Sequence, residues 1–387
     1  MNSKQFETAK MCLKVVTPIN IADGIVLGAK DYLYDSRRQK VYFLNLHQWH
    51  MFIYKHMLLE KYESYLANFR DKQSLLEWLR MQGYDIDDVR TVITSEALAT
   101  VNLMDSERKK TLNDINRHIQ QPDGSLYVPG SSIKGVFRTA ILYSLLQKRQ
   151  DIKVKYWRQI QEKISSNYFK PYRDFNKLIS DLENELLHTL RLLDGNIRSN
   201  NAVCSAMRGL QVSDTYASRN MQTAILQKVD GGFDKFGKAS PKKLPIFREC
   251  MLPEAELFFD VKIEKAVMNT IGINSVDDLL KATHSFFAAV TDLLQQAFGK
   301  EYQEAFQGVA TGNMFLGGNT GFLSKTLLAM LAPDKDTAQN TIKVLLDKSF
   351  KTHKHLLRDK IIAPRTLKCT NYNGKLMLMG VAEVHKA

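Results

Sequence analysis

The chain has 387 residues, 44% hydrophobic and 25% charged, the balance of a folded globular protein and not of a disordered or fibrous one. Its 54 lysines and arginines outweigh 41 acidic residues, and the formal charge of +13 favours polyanionic partners, nucleic acid above all. No run approaches 18 apolar residues, and Cys12, Cys204, Cys250 and Cys369 form no CxxC pair, so no membrane span, disulfide framework or zinc site is expected.

The opening "MNSKQFETAKMCLKVV" lacks the long apolar core of a signal peptide, so a cytoplasmic protein with buried free thiols is expected. "KMCLKVVTPINIADG" predicts a strand ended by Thr17-Pro18, with a turn at Asp23-Gly24. "DYLYD" and "KVYFLNL" around "SRRQ" predict a hairpin, and apolar spacing of three and four predicts helices from Gln48 to about Met81. A helical insertion is thus expected at about 48–121. Lys148 to Arg173 is basic and aromatic, and polar residues at 194–201 suggest a boundary. Beyond it "GLQVSDTYAS" and "LFFDVKIEK" predict strands separated by the loop "DGGFDKFGKASPKKLP", Ser275 to Phe306 is helical, and "LKCTNYNGKLMLMGVAEV" predicts a hairpin turning at Asn373-Gly374. The length suits two domains, 1–195 and 196–387, and the mixture of hairpins and helices in both predicts an α+β fold.

"YVPGSSIKGVFRTAILYSLL", Tyr127 to Leu146, breaks at Pro129-Gly130 and then turns helical. Ser131 or Ser132 is expected to cap the helix, while Ile133, Val136, Phe137, Ala140 and Ile141 form its core face. Lys134, Gly135 and Arg138 fall on the other face, where a helix N-terminus, two cations and a glycine suit a phosphate of an extended backbone. The competing reading is helix–sheet packing with solvated cations. "LGGNTGFLSKT" echoes the design: Gly317, Gly318 and Gly321 free backbone N–H groups, Thr320 is placed to cap a helix, and Lys325 projects from its first turn.

"GFDKFGKAS" has P-loop spacing at Gly232, Gly237 and Lys238, but Ala239 replaces the hydroxyl residue and Pro241 opposes a helix, so nucleotide hydrolysis is rejected. The segment from Lys235 to Arg248 is expected to be a mobile basic loop. His47/His50 and His353/His355 are expected on the surface, with no metal site. Asp31, with Asp23, is the carboxylate to watch for metal-assisted RNA cleavage, against the simpler reading of turn aspartates.

"TPINIADG", "YVPGSSIKGVFRTAI", "LQVSD", "LGGNTGFLSKT", "APRTLK" and "YNGKLMLMG" occur in the order seen in RAMP-superfamily CRISPR proteins, and the set is most similar to the fifth subunit of the type III-A (Csm) effector complex. The resemblance implies two RRM-like (ferredoxin-fold) domains and a non-catalytic subunit that caps the 3′ end of the guide RNA (crRNA) at the head of the backbone filament. It also implies a part in crRNA maturation for antiviral defence, contacts with the backbone and other Csm subunits, recruited host nucleases as possible partners, and no cofactor. Carried over, Ser131, Ser132, Lys134, Gly135, Arg138, Gly317, Gly318, Asn319, Gly321 and Lys325 would contact guide RNA; Arg248 joins them from the basic run. The competing function is a metal-dependent endoribonuclease using Asp31 or His118 on guide or target RNA. No RNP-type aromatic signature is present, so backbone contacts are expected over base stacking on a sheet.

Overall fold

The computed structural model describes residues 5–68, 73–99, 112, 114–166, 168–191, 201–217 and 221–387. The first part carries β1 (Phe6–Val15), β2 (Ala22–Leu27), β3 (Tyr32–Asp35) and β4 (Lys40–Leu44). Helices α1 (Leu46–Lys55), α2 (Leu59–Ala67) and α3 (Leu75–Met81) follow, then β5 (Ile93–Ala99) and β6 (Ile115–His118). Three longer helices come next: α4 (Gly130–Lys148), α5 (Gln150–Ser165) and α6 (Pro171–Leu187). The later strands are β7 (Leu210–Val212), β8 (Tyr216–Ala217), β9 (Thr223–Gly231), β10 (Lys242–Met251) and β11 (Glu256–Glu264). After them come α7 (Lys265–Met268), α8 (Val276–Phe298), β12 (Met314–Phe315), α9 (Leu328–Leu331), α10 (Lys335–Ser349) and α11 (His355–Arg358). The chain closes with β13 (Leu367–Tyr372), β14 (Lys375–Leu378) and β15 (Val381–Lys386).

Two sheets organise these elements in an α+β fold. The first runs β12-β15-β1-β11-β7, with β8 also on β11; the second runs β2-β6-β10-β9-β5-β4-β3, with β13 on β9 and β14 on β13. β1 alternates: Met11, Leu13 and Val15 point into the main core, while Lys10 and Lys14 stay out of it. That core is shared with α4 (Ile133, Phe137, Ala140, Ile141) and with α8 (Leu279, Phe286, Val290), two helices whose apolar residues recur at three and four. Ser275 caps α8 by accepting from the Asp278 N–H. Both sheets take strands from either side of residue 195, since β1 pairs with β11 and β15, and β5 and β6 pair with β9 and β10.

The helical insertion has its own core. Trp49, Ile53, Tyr62, Trp78 and Leu79 pack on Leu33 and Tyr42, one face of the β3–β4 hairpin. The opposite face of that hairpin, Tyr32, Tyr34, Val41 and Phe43, meets Ile115, Ile225 and Phe247 of the second sheet. The insertion therefore sits on the hairpin that precedes it.

Several expectations need correction. Asp23-Gly24 lies within β2, where the register to β6 shifts between Ala22 and Val26. The basic segment expected to be a loop is the tip of a hairpin between β9 and β10: Asp234 Oδ1 accepts from the Phe236 and Lys238 N–H groups, and Phe233 bridges Ala239. Arg248 consequently sits inside strand β10. The expected turn at Asn373-Gly374 is present, both residues having positive φ (51° and 76°), and all four cysteines are free and buried. The boundary expected at 194–201 lies outside the described residues except at its last position.

Candidate nucleic-acid interface

The quoted motifs meet in two backbone joints. In the first, the stretch before α4 docks on "LQVSD". The Val128 N–H donates to Thr215 Oγ1 (2.8 Å), the Thr215 N–H to the Val128 carbonyl (3.0 Å), and the Gly130 N–H to Asp214 Oδ1 (2.7 Å). A Cβ at position 130 would press on the carbonyls of Val212 and Ser213, so only glycine allows this approach. Neither Ser131 nor Ser132 caps the helix; its N-terminal positive end already faces the Asp214 carboxylate. Lys134 is likewise committed within the protein. Its Nζ donates to the Leu210 carbonyl (2.6 Å), and burial lowers its pKa. Arg138 pairs with Glu183 (3.4 Å) at a half-exposed position.

The second joint gathers "TPIN", the glycine loop and the "LMLMG" ending. The Gly318 N–H donates to the Asn20 carbonyl (2.7 Å), the Leu316 N–H to Gly380 (2.7 Å), and the Gly380 N–H to Pro18 (2.9 Å). Gly317 has φ +87° and lies so close to the Asn20 carbonyl that a side chain would collide with it. The expectation that this loop turns its N–H groups outward therefore fails at Gly318. Thr320 caps nothing; it is buried, and Ser324 Oγ donates to its carbonyl (3.0 Å) in the short 3-10 turn Leu323–Lys325. Asn319, at φ +61°, directs Nδ2 to the Met379 sulfur (3.1 Å), and Gly321 lies beside the Lys368 side chain.

Between the two joints runs a groove. One hollow of about 390 Å³ has Ser132, Gly135 and Thr139 of α4 on one wall and Gly317, Gly318 and Lys325 on the other. A second, of about 460 Å³, continues past Thr139 and Lys325 to Glu183 and Phe322. The two stretches with the echoed design thus face each other. At Gly135 a Cβ would meet nothing within 4 Å, so no packing requirement accounts for a glycine inside a helix.

Four cations gather at the Lys325 end. Lys325 is exposed overall, yet burial of its ammonium and then the Arg248 charge lower its pKa. Burial also lowers the pKa of Arg248, whose enclosed Nε has no hydrogen-bond partner. Lys228 feels burial first, then Lys368 and Arg248, and Asp230 accepts from Lys368 (2.9 Å) while lying 3.7 Å from Lys228. Asp230 is the single carboxylate paired with this group among the described residues, and Arg248 pairs with none. A half-buried guanidinium with a vacant donor, crowded by lysines, is built to meet an anion. The sequence singled out Lys325 and Arg248; Lys228 and Lys368 lie in strands β9 and β13, and only the pairing of those strands brings them together.

The residues weighed for cleavage chemistry are placed otherwise. Asp31 Oδ2 accepts from the Gly28 N–H (2.7 Å) as a turn aspartate does, and Asp23 Oδ1, within β2, accepts from the Ile25 N–H (2.7 Å). His118 is fully buried, its Nδ1 on the Ile119 carbonyl (2.9 Å), and burial lowers its pKa to about 4. Among the described residues no cluster of three or more His, Cys, Asp or Glu side chains could hold a metal ion, and no helix is long and apolar enough to cross a membrane. His47, His50 and His353 are exposed, but His355 is buried against Asp359 (2.7 Å), contrary to expectation.

The same architecture recurs in known proteins. The chain is similar to the "CRISPR system Cms protein Csm5" of Mycobacterium tuberculosis, at 27% identity over 98% of this chain and 97% of the relative. It is similar to the protein of the same description from Enterococcus italicus, at 23% identity over 88% and 85%. Among solved structures, a chain of a Csm–crRNA–target RNA ternary complex of a type III-A CRISPR-Cas system superposes with a TM-score of 0.63 at 18% identity, over 98% of this chain and all of that one. Csm5 of T. onnurineus superposes at 0.59, also at 18% identity, over 96% and 99%. The family model described as "RAMP superfamily" matches residues 12–321. That span covers most of the chain and both joints that frame the groove except the "LMLMG" ending, and it shows that the chain belongs to the RAMP superfamily.

Proposed function

We propose that this chain is the crRNA-binding Csm5-type subunit of a type III-A CRISPR effector complex, capping the 3′ end of the guide at the head of the backbone filament and supporting guide maturation. The relatives' descriptions and the fold shared with a chain of an RNA-bound Csm complex support the assignment to such a complex. The observation that carries the RNA reading is the groove itself, with Arg248 and Lys325 at one end and no carboxylate paired to Arg248. In this reading Ser132, Gly135, Gly317 and Gly318 let a sugar–phosphate backbone approach closely, Lys325 and Arg248 receive a phosphate, and Arg138 meets the next one by exchanging Glu183 for it. The two sheets are read as ferredoxin-like units, and the protein as a cytoplasmic, non-catalytic component whose other partners are Csm subunits and the nucleases that trim the guide. The engaged Asp31 carboxylate and the enclosed His118 support the non-catalytic reading.

The test is RNA binding by fluorescence anisotropy across a salt series. Lys325→Ala with Arg248→Ala should weaken binding of a single-stranded RNA by roughly tenfold or more and lower the salt slope by about one to two. Unchanged affinity and slope would remove the groove from the account. Incubating the protein with RNA in magnesium, then in chelator, should leave the RNA intact on a denaturing gel.

A further inference from the structure

A second surface lies outside the groove, where α10 ends. From Lys348 to Ile361 the sequence is "KSFKTHKHLLRDKI", with five lysines and arginines and a single carboxylate, Asp359. Phe350, Leu356, Leu357 and Ile361 are 53%, 56%, 71% and 52% exposed. Lys351, Lys354, Arg358 and Lys360 are exposed around them and make no ion pair among the described residues. Asp359 cannot neutralise them, because it is buried with one oxygen on His355 Nδ1 and the other on Arg365 Nη1, both at 2.7 Å.

The segment is held in shape from beneath. The Leu356 N–H donates to Asp347 Oδ1 (3.2 Å), the Ala363 N–H to Gln339 Oε1 (2.6 Å), and Arg365 also reaches the His353 carbonyl (3.3 Å). Lys354 adopts the left-handed conformation (φ 51°), which starts α11 in a new direction and places Leu356 and Leu357 outward. Exposed apolar side chains on a backbone held by these bonds and by the buried His355–Asp359 pair form a preorganised contact, so little ordering opposes binding.

We propose that this ledge docks an acidic protein segment with aliphatic or aromatic residues along one face, such as an amphipathic helix. The unpaired cations set its charge, and the apolar groups at their centre set its character, since an apolar centre with a charged rim is the anatomy of a protein interface. Single-stranded RNA fits less well. It gains from aromatic stacking, and although Phe350 stacks on His353 (5.6 Å between ring centres), the other three apolar groups are aliphatic. The proposal is independent of the groove, none of whose lining residues belongs to the ledge.

The test places a photocrosslinker in the full chain, Leu357→p-benzoylphenylalanine, assembled in its host complex, and sequences the crosslinked partner by mass spectrometry. The expected crosslink maps to a protein segment rich in Asp and Glu with apolar residues three and four apart. Its yield should fall at least tenfold when Lys351, Lys354 and Arg358 are changed to Glu, while the melting temperature and RNA affinity hold. A crosslink to RNA, a partner segment without acidic excess, a yield insensitive to the charge reversal, or a yield no higher than from the same probe at exposed Glu63 would each overturn it.

Discussion

Lys134 and Lys325 look alike in the sequence, each a lysine shortly after glycines and small hydroxyl residues, and the fold gives them opposite tasks. Lys134 Nζ holds the Leu210 carbonyl across the joint, whereas Lys325 stands beside Arg248 with no side-chain acceptor among the described residues. Lys134→Ala is therefore expected to cost about 1–3 kcal/mol of stability in chemical denaturation, with a smaller loss of RNA affinity than Lys325→Ala at the same temperature. The reverse order would mean that the Leu210 contact is incidental. Arg248 was legible only as one member of a basic run; what marks it is a missing partner, and a sequence does not record which carboxylates stay away. His118 gives a pH test. Its folded pKa, lowered to about 4, lies below the ordinary value of 6.5, so the unfolded chain takes the proton first. The stability it contributes is complete above about pH 6.5 and is lost as pH falls towards 4. His118→Gln should flatten that part of the stability profile, measured by urea denaturation between pH 7 and 4.5. An unchanged acid limb would show that groups other than His118 set the profile; buried Glu249 beside it is not among them, since burial raises its pKa and its protonation favours the folded state as pH falls.

Among elements, α4 shows how far pattern reading reaches. Its core face was legible from spacing, and Ile133, Phe137, Ala140 and Ile141 are indeed buried, with Val136 at the margin. Its cap was not, because the capping carboxylate, Asp214, arrives from a loop 84 residues away. Strands β9 and β10 escaped detection for a related reason. Lysines, a proline and glycines punctuate them like a loop, and only pairing in the middle of the second sheet stabilises them as strands. Gly135 offers a test that separates packing from the proposed RNA path. With open space at its Cβ position, Gly135→Ala should raise helix stability by about 1 kcal/mol, read from denaturant midpoints. The added methyl enters the groove, so RNA affinity should fall while stability rises. A stabilised variant that binds RNA as before would show that no backbone passes Gly135. Gly130→Ala is expected to do the opposite, destabilising by about 1–3 kcal/mol because the Val212–Ser213 backbone has to move.

For the whole molecule, the ordered motifs are legible as a family pattern, but their meaning is topological. "TPIN" lies near the start of the chain and "LMLMG" near its end, and they meet because β1 and β15 are neighbours in one sheet. The proposed division at residue 195 can be examined directly. Since β1 pairs with β11 and β15, fragments 1–195 and 196–387 should each fold poorly alone and recover a cooperative thermal transition only when mixed. Two independent transitions, unchanged on mixing, would establish separate folding units. The surplus of positive charge is likewise a property of the whole, and its use at the groove is the central claim. The most direct measurement is to purify the tagged chain with its native complex, crosslink by ultraviolet light, sequence the RNA and map the attached peptides. The account predicts short RNAs that share a repeat-derived 5′ segment and differ in the spacer, with crosslinks from the 3′ part to peptides covering residues 130–139 and 317–325. No RNA, RNA without a common segment, or crosslinks confined to other surfaces would contradict it.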